Sequence, residues 1–248
     1  MFLKKTTKCK FICYNEIEVN SMTYEDLVKK TMQEEIKFYH DFWKQYIELE
    51  KLFLETEKFV AISDKNKSTY SIQYNILLQA ICAEVDIVIK RLCYEYDSQA
   101  KVKDMKDYIH VITLFDPSIK DIVVNLELYS MVISPWKNIG FRENNGVEQL
   151  ICPYWWDGYI KLKHRRLTFS KSNNEFNIVE RNIQQANQKN VLGALAGLFI
   201  LETRCLQKMR ERFCREFQNN GFSSTTVEIC NRFNDSFFQE TIETLESF

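Results

Sequence analysis

The chain has 248 residues, of which 45% are hydrophobic and 27% charged, with only 6 glycines and 3 prolines. This composition is that of a globular protein and excludes a largely disordered or low-complexity chain. Because 33 lysines and arginines nearly balance 34 acidic residues, the charge of the whole chain does not favour nucleic acid, and any such role requires a local basic patch.

Eight cysteines are scattered along the chain, without a CxxC pair or a histidine doublet of the kind that binds zinc. The spacing therefore predicts no metal site, and no cofactor is predicted from the rest of the sequence. Most thiols are expected to be small buried side chains of a cytoplasmic protein. The best candidate for a membrane span, residues 191–201, is shorter than the ~18–20 apolar residues that a spanning helix needs, so we expect no membrane contact.

Helical periodicity dominates the first half of the chain. Residues 1–22 are predicted to be an N-terminal extension, because the periodic pattern starts at Thr23, a capping residue followed by acidic residues. Apolar residues then recur at three- and four-residue steps to about residue 60. A second helix at about 69–96 is apolar on nearly all sides, which predicts a central, buried helix. A shorter third helix ends before Pro117.

The second half of the chain mixes strand and helix signals. Alternating Val- and Ile-rich residues predict a small β-hairpin insertion at about 121–135. An irregular link then leads to a helix at 154–166, and a polar loop at 168–177 leads to a long helix that starts near Ile183. The predicted fold class is therefore all-α, a helical bundle with a β-hairpin insertion.

Two features of the last part of the chain predict contacts between elements. Gly193 and Gly197 lie four residues apart in the long helix, a spacing that lets a second helix approach closely. Residues 225–248 carry phenylalanines at helical spacing and are interpreted as an appended helix that could bind a partner protein. The predicted domains are thus an extension at 1–22, a helical domain at 23–218 and an appended C-terminal helix at 219–248.

The segment YWWDGYIKLKHRR, residues 154–166, joins large aromatic rings to a run of cations. If it is wound as a helix, Arg166 lies on the arc of the aromatic rings and Lys163 on the adjoining arc, while His164 stands at the edge. In the second helix, Glu84 lies between apolar rows, and a buried carboxylate needs a partner. We therefore expect Glu84 to lie close to Lys163, His164 or Arg166.

This cluster has two interpretations. In the first it is a catalytic site, in which His164 acts as general acid and base, Lys163 and Arg166 bind a phosphate, and Glu84 orients them. In the second it is a buried ion pair between Glu84 and Lys163 or Arg166 that fixes the register of the helices. The sequence contains no glycine-rich phosphate loop, GxSxG elbow, HExxH motif, zinc finger or RNA-recognition signature.

The order of four segments resembles a group of bacterial helical proteins that look like relatives of the HEPN superfamily. These segments are TYSIQYNILLQAICAEVDIVIKRLC, SPW, WWDGYIKLKHRR and ANQKNVLGALAGLFIL. The resemblance covers residues from about 23 to 201, and its most specific part is the pattern WWxxYxKLKHxR. It implies a small helical bundle, a homodimer, and a role in bacterial toxin or anti-phage defence systems.

The same resemblance implies binding or metal-independent cleavage of RNA. In the HEPN motif four to six residues separate an Arg from a following His, whereas here the corresponding positions hold Asp157, Gly158 and Tyr159. Only His164 carries over as a catalytic residue, with Lys163 and Arg166 supplying positive charge in a different order. The alternative is a non-enzymatic helical module with an interaction or regulatory role.

Overall fold

The computed structural model of the chain describes residues 22–172, 175–222 and 239–242, and most of these residues are helical. Within this part of the chain there are six α-helices: α1 (Tyr24–Phe38), α2 (Lys44–Glu55), α3 (Ile72–Tyr96), α4 (Met105–Phe115), α5 (Tyr154–Arg165) and α6 (Gln188–Asn219). The predicted all-α class is confirmed only in part, because the described residues are mainly helical but also form seven β-strands. The predicted extension at 1–22 lies outside the described residues except for Met22.

The first predicted helix is continuous from α1 to α2 through a π-helical turn at Tyr39–Trp43. It starts as the sequence predicts, because the Thr23 hydroxyl oxygen accepts a hydrogen bond from the Asp26 amide at 3.2 Å. One face of this long element is buried and includes Trp43 and Phe53.

Helices α3 and α6 pack along each other and form the centre of the core. Helix α3 begins after Ser71, whose hydroxyl accepts from the Tyr74 amide at 3.0 Å. Residues 191–202 of α6 are all buried, so the apolar run is part of the protein interior. No helix in the described residues has the length and apolarity to cross a membrane.

The predicted hairpin insertion is confirmed. Strands β1 (Ile122–Leu126) and β2 (Met131–Ile133) pair antiparallel, and the apolar side chains of β1 are mostly buried. On its other edge β1 pairs with β7 (Gln239–Ile242). The predicted C-terminal helix is therefore wrong at 239–242, where the chain is a strand, and the rest of 225–248 lies outside the described residues.

Two further hairpins occur where irregular chain was predicted. Strands β3 (Gly140–Asn144) and β4 (Val147–Ile151) are joined by Asn145 and Gly146 with φ of 51° and 75°, as a tight hairpin turn requires. Strands β5 (Leu167–Ser172) and β6 (Glu175–Arg181) replace the predicted polar loop at 168–177. Residues of β3 and β4 are half-buried or exposed, so they lack the apolar alternation that marks a half-buried strand.

Candidate functional site

The tryptophans of α5 belong to the core. Trp155 is completely buried, and its indole N–H donates to the Pro135 carbonyl oxygen at 3.0 Å. Its ring stands edge-on to Trp136 with 5.3 Å between centroids, and the Trp136 indole N–H donates to the Gly197 carbonyl oxygen at 3.2 Å. These contacts fix α5 against α6 and set the direction in which the rest of α5 points.

Glycines at the contact between α5 and α6 make room for these rings. A Cβ atom added to Gly197 would lie 2.9 Å from Trp155 Cζ2, and one added to Gly193 would lie 2.9 Å from Trp155 Cδ1. On α5 itself, a Cβ at Gly158 would lie 2.5 Å from Asn190 Nδ2. The predicted role of Gly193 and Gly197 in a close helix approach is confirmed.

The predicted site residues on α5 lie at its C-terminal end and are exposed to solvent. Lys163, His164 and Arg166 are exposed, as are Lys161 and Arg165. The Lys163 ammonium lies 5.3 Å from the centroid of the Tyr159 ring, which is a cation–π distance. In the described part of the chain, none of the four cations has a carboxylate within 4.0 Å, and His164 has no side-chain hydrogen bond.

The backbone at this end of α5 is held by Asn182, which is buried. Its amide N–H donates to the Arg166 carbonyl oxygen at 3.0 Å, and its side-chain Nδ2 donates to the Arg165 carbonyl oxygen at 2.8 Å. These bonds satisfy carbonyl groups that a helix end otherwise leaves unpaired. The basic side chains are therefore presented from a fixed backbone.

Glu84 does not meet the basic side chains. Helices α3 and α5 are in contact as predicted, but Glu84 forms no ion pair with Lys163 or Arg166 in the described residues, and both cations are exposed. The predicted buried ion pair is therefore wrong. Glu84 is only 9% exposed, and burial raises the pKa of its carboxyl group. A buried carboxyl group avoids the cost of an unpaired charge either by pairing with a cation or by staying protonated.

Glu84 acts on a second buried acid, Glu202 of α6, which is not among the residues predicted from the sequence. Glu202 is completely buried, and neither carboxylate oxygen has a hydrogen-bond partner among the described residues. Burial, and then the negative charge of Glu84, raise the pKa of Glu202 well above its ordinary value. The signal in the sequence is the position of this acid directly after the apolar run 191–201.

A cleft at the opposite end of α5 also escapes prediction from the sequence. It has a volume of about 430 Å³ and is lined by lysines from three separate segments, Lys67, Lys137 and Lys189. The three lysines share no local sequence pattern, and only the folded chain brings them together. The basic end of α5 does not contribute to this cleft.

No group of three or more His, Cys, Asp or Glu side chains in the described residues has the arrangement of a metal site. Comparison of the chain with protein-family models, with curated proteins and with solved structures gives no match. Function is therefore inferred from the chemistry of the side chains themselves.

Proposed function

We propose that the protein binds RNA through the basic end of α5, which comprises Lys161, Lys163, His164, Arg165 and Arg166. The observation that carries this proposal is that all four cations are exposed and none forms an ion pair within 4.0 Å in the described residues. Lys161 interacts with the Asp157 carboxylate over a longer distance. Ammonium and guanidinium groups of this kind bind the phosphates of a nucleic acid backbone.

A purely structural role accounts for only part of this arrangement. Cations near the C-terminus of a helix stabilise it by about 0.3–1 kcal/mol each, and the effect falls off within the last turn. Here four cations lie within six residues of a nearly neutral chain. Neighbouring like charges repel each other, so this many cations are not explained by stabilisation of the helix end alone. An anionic partner removes that repulsion.

The RNA-binding proposal is tested by comparing two double variants. We expect Lys163→Ala with Arg166→Ala to raise the Kd for a fluorescent single-stranded RNA by about tenfold, because two phosphate contacts are lost. The matched control is Lys44→Ala with Lys101→Ala, which removes two exposed cations elsewhere and should leave the Kd unchanged. Fluorescence anisotropy gives the Kd, and equal effects of the two pairs would contradict the proposal.

His164 adds RNA cleavage to the proposal, in keeping with the HEPN resemblance and a role in bacterial defence. An imidazole beside two cations can move a proton while the cations hold the phosphate, although Glu84 takes no part in orienting it. We expect wild type to cut RNA in the presence of EDTA and His164→Gln to bind RNA equally well without cutting it. A denaturing gel measures cleavage, and intact RNA with wild type would restrict the function to binding.

A non-enzymatic interaction module is the second candidate, and a separate surface favours it. Phe59 is 88% exposed and lines a cavity of about 440 Å³ together with Leu52, Val60 and Tyr74. An exposed apolar surface of this kind is typical of a protein contact, and a second copy of the chain is the partner that the HEPN resemblance implies. Sedimentation equilibrium should show a dimer that Phe59→Ser dissociates, whereas a monomeric wild type would exclude this contact.

A further inference from the structure

The lysine cleft lies between strand β2, the link that follows it, and the first turns of α5 and α6. Its lysines come from chain positions far apart, since Lys67 precedes α3, Lys137 precedes β3 and Lys189 opens α6. The Lys189 amide N–H donates to the Lys67 carbonyl oxygen at 3.0 Å. This hydrogen bond holds two of the three segments together, so the cleft is built into the fold.

The charge of the cleft is only partly compensated. Lys137 has no ion pair in the described residues, and Lys189 has only a contact with the Tyr154 ring, 4.9 Å from its centroid. Lys67 pairs with Asp64 at 2.5 Å. Asp157 is the one carboxylate on the described cleft wall, so Lys137 and Lys189 are the two cations there that no ion pair in the described residues compensates.

The backbone at the start of α6 does not supply the binding groups. The Gln188 and Lys189 amides donate to carbonyl oxygens of Thr69 and Lys67, and the Asn190 amide donates to the Asn187 side chain. These amides are therefore already satisfied. Any anion in the cleft must be held by the lysine ammonium groups and by polar side chains such as Ser134.

Apart from the polar Asn138, the rest of the wall is apolar or aromatic and includes Met131, Ile133, Leu192 and the Tyr154 ring. A volume of about 430 Å³ lies within the ~300–1,000 Å³ range of small-molecule sites. A phosphate monoester carries close to two negative charges at neutral pH. It therefore binds to several lysines more strongly than a ligand with a single carboxylate group does. An attached planar or apolar group would cover the aromatic and aliphatic wall.

We propose that this cleft binds a small organic phosphate, a phosphate monoester of a planar or apolar group, held by Lys137 and Lys189. The site goes beyond the proposed RNA contact, because none of the basic residues at the end of α5 lines it. The phosphate could belong to a free small molecule or to the end of an RNA strand. Phenyl phosphate represents the shared chemistry, and a 5′-phosphorylated RNA compared with its 5′-hydroxyl form distinguishes the second source.

Isothermal titration with phenyl phosphate tests the cleft directly. We expect saturable binding with a Kd at or below about 1 mM, and weaker binding of inorganic phosphate and of phenol. Lys137→Ala with Lys189→Ala should raise the Kd by about tenfold, whereas the control Lys44→Ala with Lys101→Ala should not. No binding to wild type, an equal loss in the control, or equal affinity for inorganic phosphate would overturn the proposal.

Two more variants separate the cleft from folding and from RNA binding. Lys137→Glu reverses one exposed charge in a surface link, so it should abolish phenyl phosphate binding while circular dichroism stays that of wild type. Lys163→Ala with Arg166→Ala should leave phenyl phosphate binding unchanged. Loss of phenyl phosphate binding in that variant would overturn the proposal of a separate phosphate site in the cleft. If only RNA binding failed in the wild type, the proposed phosphate site would still stand.

Discussion

At the scale of single residues, Glu202 couples the stability of the protein to pH. Its raised pKa means that the folded protein retains a proton that the unfolded chain releases above the ordinary value of 4.5. Stability from this group is fully present below that pH. It is lost progressively as the pH rises from there through the pKa of the folded state, because the unfolded chain then binds fewer protons than the folded one.

Replacing Glu202 by Gln removes this titration and keeps the volume of the side chain. Wild type should lose up to about 1.4 kcal/mol of unfolding free energy per pH unit from this one group. We therefore expect Glu202→Gln to gain stability relative to wild type as the pH rises above the ordinary value of 4.5. Urea unfolding followed by circular dichroism at several pH values measures the difference.

The control for Glu202 is Glu55→Gln, because Glu55 is an exposed acid of α2. Its unfolding free energy should run parallel to that of wild type over the same pH range. If Glu202→Gln also ran parallel to wild type, the buried carboxyl group would be ionised in the folded protein, contrary to the effect of its burial beside Glu84.

At the scale of elements, the contact between α5 and α6 depends on the absence of side chains at Gly193 and Gly197. Alanine at an exposed helical position is about 1 kcal/mol more favourable than glycine. At Gly197 the new methyl group would meet Trp155 at 2.9 Å, and buried tryptophans in a packed core cannot withdraw freely. The steric cost should therefore outweigh the gain in helix propensity.

We expect Gly197→Ala to lower the unfolding free energy by about 1–3 kcal/mol, as overpacking of a core does. The matched pair is Cys214→Gly and Cys214→Ala at an exposed position of the same helix, where alanine should be the more stable. Thermal unfolding compares the two positions. A stabilised Gly197→Ala protein would show that α5 can move away from α6 without cost.

The sequence predicts the helices well because each buries one apolar face or, in α3, nearly all of its surface. It fails for β3 and β4, whose residues are half-buried or exposed and so carry no alternation. It also identifies the run of cations at the end of α5, since the charges are neighbours along the chain, but it wrongly places Lys163 or Arg166 in a buried ion pair with Glu84. The partner of Glu84 and the three lysines of the cleft depend on which distant segments meet, and no local pattern contains that information.

At the scale of the whole molecule, α5 connects two positively charged regions. The cleft adjoins its first turn through Tyr154 and Asp157, and the residues proposed to bind RNA begin at Lys161. Asp157 and Lys161 are therefore about 6 Å apart along the helix axis at 1.5 Å per residue. Both are local features of a chain with a net charge of −1. Binding of anions should therefore depend on these named cations and not on a general attraction to the protein.

The most direct test of the RNA contact is the dependence of its Kd on salt. Each phosphate contact to single-stranded nucleic acid contributes about 0.7 to the slope of log K against log salt. We predict that Lys163→Ala with Arg166→Ala lowers the slope by about 1.4 between about 50 and 200 mM salt, whereas Lys44→Ala with Lys101→Ala leaves it unchanged. Identical slopes for wild type and the Lys163 and Arg166 variant would contradict an RNA contact at the end of α5.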